Sequence, residues 1–547
     1  MVTRRTLMTG FGGSLAARAR QQPPEPAIIP RPARLLRRKG DFRVNSRTRV
    51  VPDASTRAEG QWLAEVLGCP ASEGPPREGA VALRLDPRLA RLGREGYVLE
   101  VTPKRVSVRG STPAGVFYGA QTLRQLLPPA AYGQAGRAAA QWRVPCLEIE
   151  DSPRFPWRGA LVDPARHFKP KAAILKFVDA LALHKLNTLH LHLTDDQGWR
   201  IQIQKYPKLT EIGSVRSQTR VGHERKPQGF DGKPHGGYYT PADLREIVAY
   251  AKARHVNVVP EIEMPGHAQA ALAAYPEFGN TGEKLEVWTQ WGVSKNIFSV
   301  NDRTFRFLED MLSEVLELFP GKYIHVGGDE VPPDQWKASA EAQARIKELG
   351  LKNETELHTW FISRINTFLQ SRGRTLVGWD EIIEGGMTPG AVVMSWRGVK
   401  GGIEAAHHGH DVIMTPASDT YFDYYQATDP REPLAIGGLV TLEKVYSYEP
   451  VPAELGAGEA RHVLGTQGQL WSEYLPTPEH MEYMAFPRLT ALSEVAWTPT
   501  ARRDYPDFAR RLPVHLARLK ALGINYRPLK ERGGAPTGLP RWAGKRD

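Results

Sequence analysis

Cysteine is almost missing from this chain of 547 residues, which has only Cys69 and Cys146. That excludes a disulfide framework and a zinc ribbon, which needs paired C-x-x-C spacings. A single bridge between the two stays open, because a sequence does not place their Cβ atoms. Long apolar runs are missing too: no stretch approaches the roughly 18 consecutive apolar residues of a membrane-spanning helix. Internal repetition with a period of about 20 to 50 residues, the mark of solenoids and propellers, is also absent. The last absence is focused charge. Lysine and arginine number 72 against 60 aspartate and glutamate, a net +12, yet the excess builds no nucleic-acid recognition motif. Part of it falls on Arg31, Arg34, Arg37, Arg38, Lys39, Arg43, Arg47 and Arg49, which read as a solvated basic face.

What is present, 41% hydrophobic and 24% charged residues, is an ordinary globular composition. At about 150 residues per domain the length allows two to four folded units, fewer if one is a barrel. Arg4 and Arg5, followed by an uncharged Gly-rich stretch and the small-x-small pattern at Ala17 and Ala19, resemble a twin-arginine export signal. Residues 1–22 are read as that signal and the start of a linker, and the expected location is therefore periplasmic or extracellular. Residues 23–152 follow as a small α/β (α+β) N-terminal domain, with period-2 strands at Val81–Leu85, Tyr97–Val101 and Arg105–Val108 and a helix over Ala114–Leu127.

From Pro153 the texture becomes apolar strand runs separated by amphipathic helices, the alternation of parallel β with crossover helices. Candidate strands lie at Gly159–Asp163, Asn187–Thr194, Val256–Met264, Tyr323–Gly328, Thr375–Trp379, Val392–Trp396, Asp411–Thr415 and Val463–Trp471. Eight such units predict a (β/α)8 TIM barrel over 153–528, with a tail at 529–547, and place the chemistry at the strand C-terminal ends. The connection Gly213–Tyr239, rich in Gly, Lys, Arg and His, is too long for a passive loop and is expected to form a rim or lid.

The most informative string is HVGGDE, residues 325–330, at the end of the fourth strand. Adjacent side chains of a regular strand face opposite ways, and two glycines before Asp329 and Glu330 let the backbone turn so that both carboxylates reach one site. Glycosidic cleavage needs a carboxylic acid to protonate the leaving oxygen and a second group to stabilise the oxocarbenium-like centre. A neighbouring pair suits a division of labour in which one residue is the acid and the other positions a nucleophile that belongs to the substrate.

With these motifs the chain resembles a β-N-acetylhexosaminidase of glycoside hydrolase family 20. The resemblance runs through RGALVDPARHF (158–168), LHLHLTDDQGWR (189–200), PEIEMPGH (260–267), HVGGDE and VGWDE (377–381), and through GVFYGAQTLRQLL (115–127) of the leading domain. It implies exo-acting, retaining hydrolysis of terminal N-acetyl-β-D-hexosamine, GlcNAc and GalNAc, in which the 2-acetamido carbonyl attacks the anomeric carbon to give an oxazolinium ion. It implies Glu330 as general acid and base and Asp329 as the residue that orients the acetamide. Glu330 then needs a raised pKa, which an ionised Asp329 would help to supply. Arg166, Asp195, Asp423 and Glu473 match contacts to the sugar, and His267 matches a histidine near the acid. Tyr421 matches a donor to the acetamide oxygen. Trp379, Trp471 and Trp360, with Trp396 beside them, match the aromatic wall. The expected partner is a carbohydrate, with no nucleic acid, cofactor or metal. A rival metal-hydrolase reading would gather His190, His192, Asp195, His235, His267 and Asp329 around an ion. A second rival keeps the pocket as a sugar-binding protein without turnover.

Overall fold

The computed structural model describes residues 26–133 and 141–529, so the export signal and nearly all of the expected tail lie outside the described residues. The leading domain is a six-stranded mixed sheet in the order Arg34–Val44, Trp142–Asp151, Tyr97–Val101, Val106–Gly110, Ala80–Leu85, Arg49–Pro52. Helices Arg57–Leu67 and Pro113–Gln125 pack on it. The second helix starts on a Thr112 side-chain cap with Pro113 in its first turn, a favoured opening. It lies very close to the sheet at Gly119, where a Cβ would stand 2.5 Å from Val108 Cγ1. Cys69 and Cys146 are both buried here as free thiols, so the bridge left open by the sequence is not formed.

The barrel closes from eight parallel strands: Trp157–Val162, Thr188–His192, Asn257–Glu261, Tyr323–His325, Thr375–Trp379, Val392–Ser395, Val412–Met414 and Val463–Leu470, the last pairing with the first. All eight sequence-predicted strands are present. Residues pointing inward fill the cylinder, among them Trp157, Leu161, Val259, Val377, Trp379, Met394 and Ile413. Residues pointing outward meet the helical ring, whose apolar stripes complete the larger core. Several ring helices begin on side-chain caps, for example Asn301 accepting from Thr304 N at 2.8 Å and Asn353 accepting from Glu356 N at 3.0 Å.

The two domains join at the floor of the barrel, opposite the catalytic end, through buried charge. Lys185 Nζ donates to Tyr97 Oη at 2.8 Å and to Asp151 at 3.1 Å, and Trp497 Nε1 donates to the same carboxylate at 2.9 Å. Arg158, fully buried, forks onto Glu95 at 2.8 and 2.9 Å. Connection 213–239 is two short β pairings: Val215–Arg216 with His235–Gly236, and Arg220–His223 with Lys226–Phe230. It arches over one side of the barrel mouth, where His223 Nε2 meets Ile436 O at 2.8 Å and Glu224 N donates to Tyr474 Oη at 2.9 Å.

Candidate active site

The fourth strand stops after His325 because Gly327 and Gly328 take φ values of +66° and +89°. Neither position tolerates a side chain, since a Cβ on Gly327 would fall 1.8 Å from Glu263 Oε2 and one on Gly328 2.7 Å from Ile382. The turn delivers both Asp329 and Glu330 to one cavity. Glu330 itself sits at φ +47° and His267 at φ +49°, strained values for residues with side chains. His267 Nε2 lies 3.5 Å from Glu330 and 3.7 Å from Asp329, between the two carboxylates.

Behind the pair runs a buried chain of charge. His267 Nδ1 faces Asp196 at 3.2 Å and Asp195 at 3.3 Å. Asp195 receives Arg166 at 2.7 Å and His192 Nε2 at 2.8 Å, and His192 Nδ1 meets Glu261 at 2.5 Å. Glu261 is also faced by His190 at 3.1 Å, by His325 at 2.9 Å and by the indole N–H of Trp379 at 2.8 Å. Burial works against charge on His267, but the carboxylates of Asp195, Asp196 and Glu330 outweigh it and hold the ring well above the ordinary histidine range. The same contest, won by Glu261 and Asp195, pushes His192 up to about 10. Asp329 goes the other way. Its burial, with help from Glu330 and against the pull of His267, raises its carboxyl from 3.8 to about 6.

The cavity mouth is lined by Arg166, Trp396, Tyr421, Asp423, Trp471 and Glu473 together with Asp329 and Glu330. Tyr421 and Asp423 both reach this cavity, across a turn at Phe422 and Asp423 rather than along an extended strand. Burial and the neighbouring Tyr424 and Asp423 keep the Tyr421 phenol protonated, hence a donor. Trp471 lies 5.7 Å from Trp379 and 6.3 Å from Tyr421, and the Trp396 ring lies nearly parallel to Tyr421 at 6.1 Å. Trp396 and Trp471 line this cavity, and the fully buried Trp379 stands behind Trp471.

Trp360 is not part of this group. Helix Glu354–Ser371 turns about 100° per residue, which carries Trp360 to the helix's outer side. There it packs edge-on against Phe305 at 5.3 Å with Arg345 and Arg364 over its ring. His358, two residues earlier, is the side chain turned toward the HVGGDE turn, where its Nε2 lies 3.7 Å from the point at which Gly328 would carry a Cβ. The rival metal constellation is not assembled as read either: His235 lies beside His167 and accepts from Phe168 N at 3.0 Å, away from Asp329. His190 and His192 instead belong to the Glu261 network, with Gln467 Nε2 donating to His190 Nδ1 at 2.9 Å. Asp196, Glu261, Glu263, His358 and Glu381 escaped the sequence reading. For the two glutamates the signal was there, because Glu261 and Glu263 repeat the i, i+2 spacing of His190 and His192, and His192 pairs in register with Glu261.

A barrel whose strand ends present a paired acid, a charge-linked histidine and an aromatic wall is the frame of a glycoside hydrolase, and comparison with known proteins agrees. Residues 155–500 match the model of the glycosyl hydrolase family 20 catalytic domain and residues 25–152 match that family's domain 2. The chain belongs to glycosyl hydrolase family 20. A β-hexosaminidase of Porphyromonas gingivalis is 44% identical over 518 residues, covering 93% of this chain, which spans 65% of that longer protein. The family 20 β-N-acetylhexosaminidase of Streptomyces coelicolor A3(2) superposes with a TM-score of 0.80 at 33% identity, covering 93% of this chain and 99% of that one. An exo-β-N-acetylglucosaminidase of Vibrio harveyi, solved in complex with N-acetylglucosamine, gives 0.81 at 30% identity over 92% of this chain and 78% of its own.

Proposed function

We propose that the protein is an exo-β-N-acetylhexosaminidase that releases single GlcNAc and GalNAc residues from non-reducing ends with retention, the sugar's own 2-acetamido group performing the displacement. The observation that carries this reading is the placement of Asp329 and Glu330, adjacent in sequence, on one pocket with His267 beside both. A separated nucleophile and acid would straddle the bond from different strands. A neighbouring pair can instead serve the leaving oxygen at C1 and the acetamide at C2 of one sugar.

In this reading Glu330 protonates the leaving oxygen and then takes a proton from the incoming water. Asp329 accepts the acetamide N–H and stabilises the positive charge that develops on nitrogen. Tyr421 donates to the carbonyl oxygen that attacks C1, and the Trp379, Trp396 and Trp471 wall encloses the methyl group. The reaction needs the proton on Glu330 and the negative charge on Asp329, and the charged His267 beside both carboxylates favours that charge. Arg166, Asp423 and Glu473 hold the ring hydroxyls and block extension beyond one sugar, which gives exo action. Arg166 is itself fixed by Asp195 and by Gln197 Oε1 at 3.1 Å. The expected export signal adds that this activity operates outside the cytoplasm, a point read by fractionating cells that express the full chain.

The test is a pair of aryl β-glycosides that differ only at C2. The 2-acetamido compound should be hydrolysed and inhibited by a thiazoline, whereas equal turnover of the 2-hydroxy compound would sink the proposal.

A further inference from the structure

A second cavity of about 510 Å³ opens on the far side of Glu330, within the range of about 300–1,000 Å³ common for ligand pockets. It shares only Glu330 and Trp396 with the sugar pocket, and Asp329 does not reach it. A chamber bordered by the acid but not by the acetamide-orienting residue is where a departing group sits. Resting on the function proposed above, its contents are the leaving sugar.

Its walls say which sugar. Trp396 and the Val331–Pro333 segment give apolar faces for a pyranose ring, with the buried Trp336 behind them. Carboxylates stand around them: Glu354 at the start of one helix, and Glu381 and Glu384 in the turn that follows the fifth strand. The one cation lining the chamber among the described residues is Arg397, already held by Asp380 at 2.8 Å and Glu384 at 2.5 Å. Glu381 is also bonded by Trp396 Nε1 at 3.0 Å. Burial and the nearby Asp329 and Asp380 hold the Glu381 carboxyl well above the usual range, so the negative charge facing the chamber rests on Glu354 and Glu384. One polar group remains to be met, since His358 lines the chamber, is 93% buried by its 7% exposure, and its Nε2 has no hydrogen-bond partner among the described residues.

We propose that this chamber is a leaving-group site selective for an amino sugar with an unsubstituted, protonated 2-amine, held by Glu354 and Glu384, with His358 facing a ring hydroxyl. The acetylated equivalent brings no positive charge, and an anionic sugar is repelled. Two partly exposed ion pairs of this kind amount to about a five-fold preference at low ionic strength, fading in high salt as the charges are screened.

The experiment compares kcat/KM at about pH 6 for two disaccharides, N-acetylglucosaminyl-β-1,4-glucosamine and its fully N-acetylated counterpart, with an aryl N-acetyl-β-glucosaminide as reference. The wild type should favour the free amine about five-fold in low salt and lose that preference near 1 M salt, and the double variant Glu354→Gln, Glu384→Gln should show none. An ammonium also makes its own oxygen a better leaving group, so a preference that persists in salt and in the double variant is intrinsic to the substrate and overturns the proposal. Hydrolysis of the aryl glycoside without any preference between the disaccharides overturns this site alone, whereas failure to cleave all three overturns the function on which it rests.

Discussion

Asp329 is an acid kept against its own preference. Its rise from the ordinary 3.8 to about 6, at about 1.4 kcal/mol for each tenfold change in proton affinity, means that ionising it in the native state costs about 3 kcal/mol relative to the unfolded chain. Below pH 3.8 the carboxyl is neutral in both states and costs nothing. Between 3.8 and 6 the native protein holds a proton that the unfolded chain has released, so stability falls as pH rises, and above 6 the loss is constant. Asp329→Asn keeps the shape and removes the titration. Thermal melts of wild type and variant from pH 4 to pH 8 should therefore nearly coincide at the acid end. A gap of a few degrees in Tm, the variant higher, should open by pH 6 and then hold level. The variant should meanwhile lose about 100-fold or more in kcat on natural and activated substrates alike, as removal of a charge-stabilising group does. A Tm gap that is the same at every pH, or a variant less stable than wild type at pH 7.5, would refute the argument.

Other outcomes follow from the same geometry. Glu330→Gln should lose roughly 100-fold or more on oligosaccharides but much less on aryl glycosides with good leaving groups, since only the former need a proton, and equal losses would remove Glu330 from the acid role. Trp360→Ala should leave kcat/KM within about two-fold of wild type, because its contacts are with Phe305 and two arginines, whereas Trp471→Ala should lose about ten-fold or more through the pocket it lines. Trp379→Phe removes a donor to the buried Glu261 carboxylate at 2.8 Å, a bond to a charged group worth about 1.5–3 kcal/mol. Steady-state kinetics should show a loss of roughly ten-fold or more in kcat/KM with the fold, by circular dichroism, intact.

The barrel was legible because central parallel strands are apolar runs whose edges are marked by charged helices, a pattern that needs no partner to be seen. The site residues that could be read sit at strand C-terminal ends, where a barrel puts its chemistry, some beside glycines that free the turn. Trp360 was misread for the opposite reason: a helical side chain's direction depends on which face packs inward, and that is decided by Phe305 and Phe361 rather than by the residues next to it. Glu354, Glu381 and Glu384 gave no signal as a group, since their chamber is assembled from segments after the fourth, fifth and sixth strands and exists only once the ring has closed. His190 and His192 were visible, but their placement around Glu261 required the adjacent strand in register.

The charged seam at the barrel floor bears on how this architecture can be cut and inherited. Lys185 and Arg158 belong to the barrel, while their counter-ions Asp151 and Glu95 come from residues that precede it. A truncation that starts after Asp151 would strand two cations in an apolar interior, at about 3–5 kcal/mol for each buried pair broken. The leading domain therefore works as a foundation plate. An ancestor could trade it for another module only by rewriting Lys185 and Arg158 in the same step, which ties the two halves into one unit of descent.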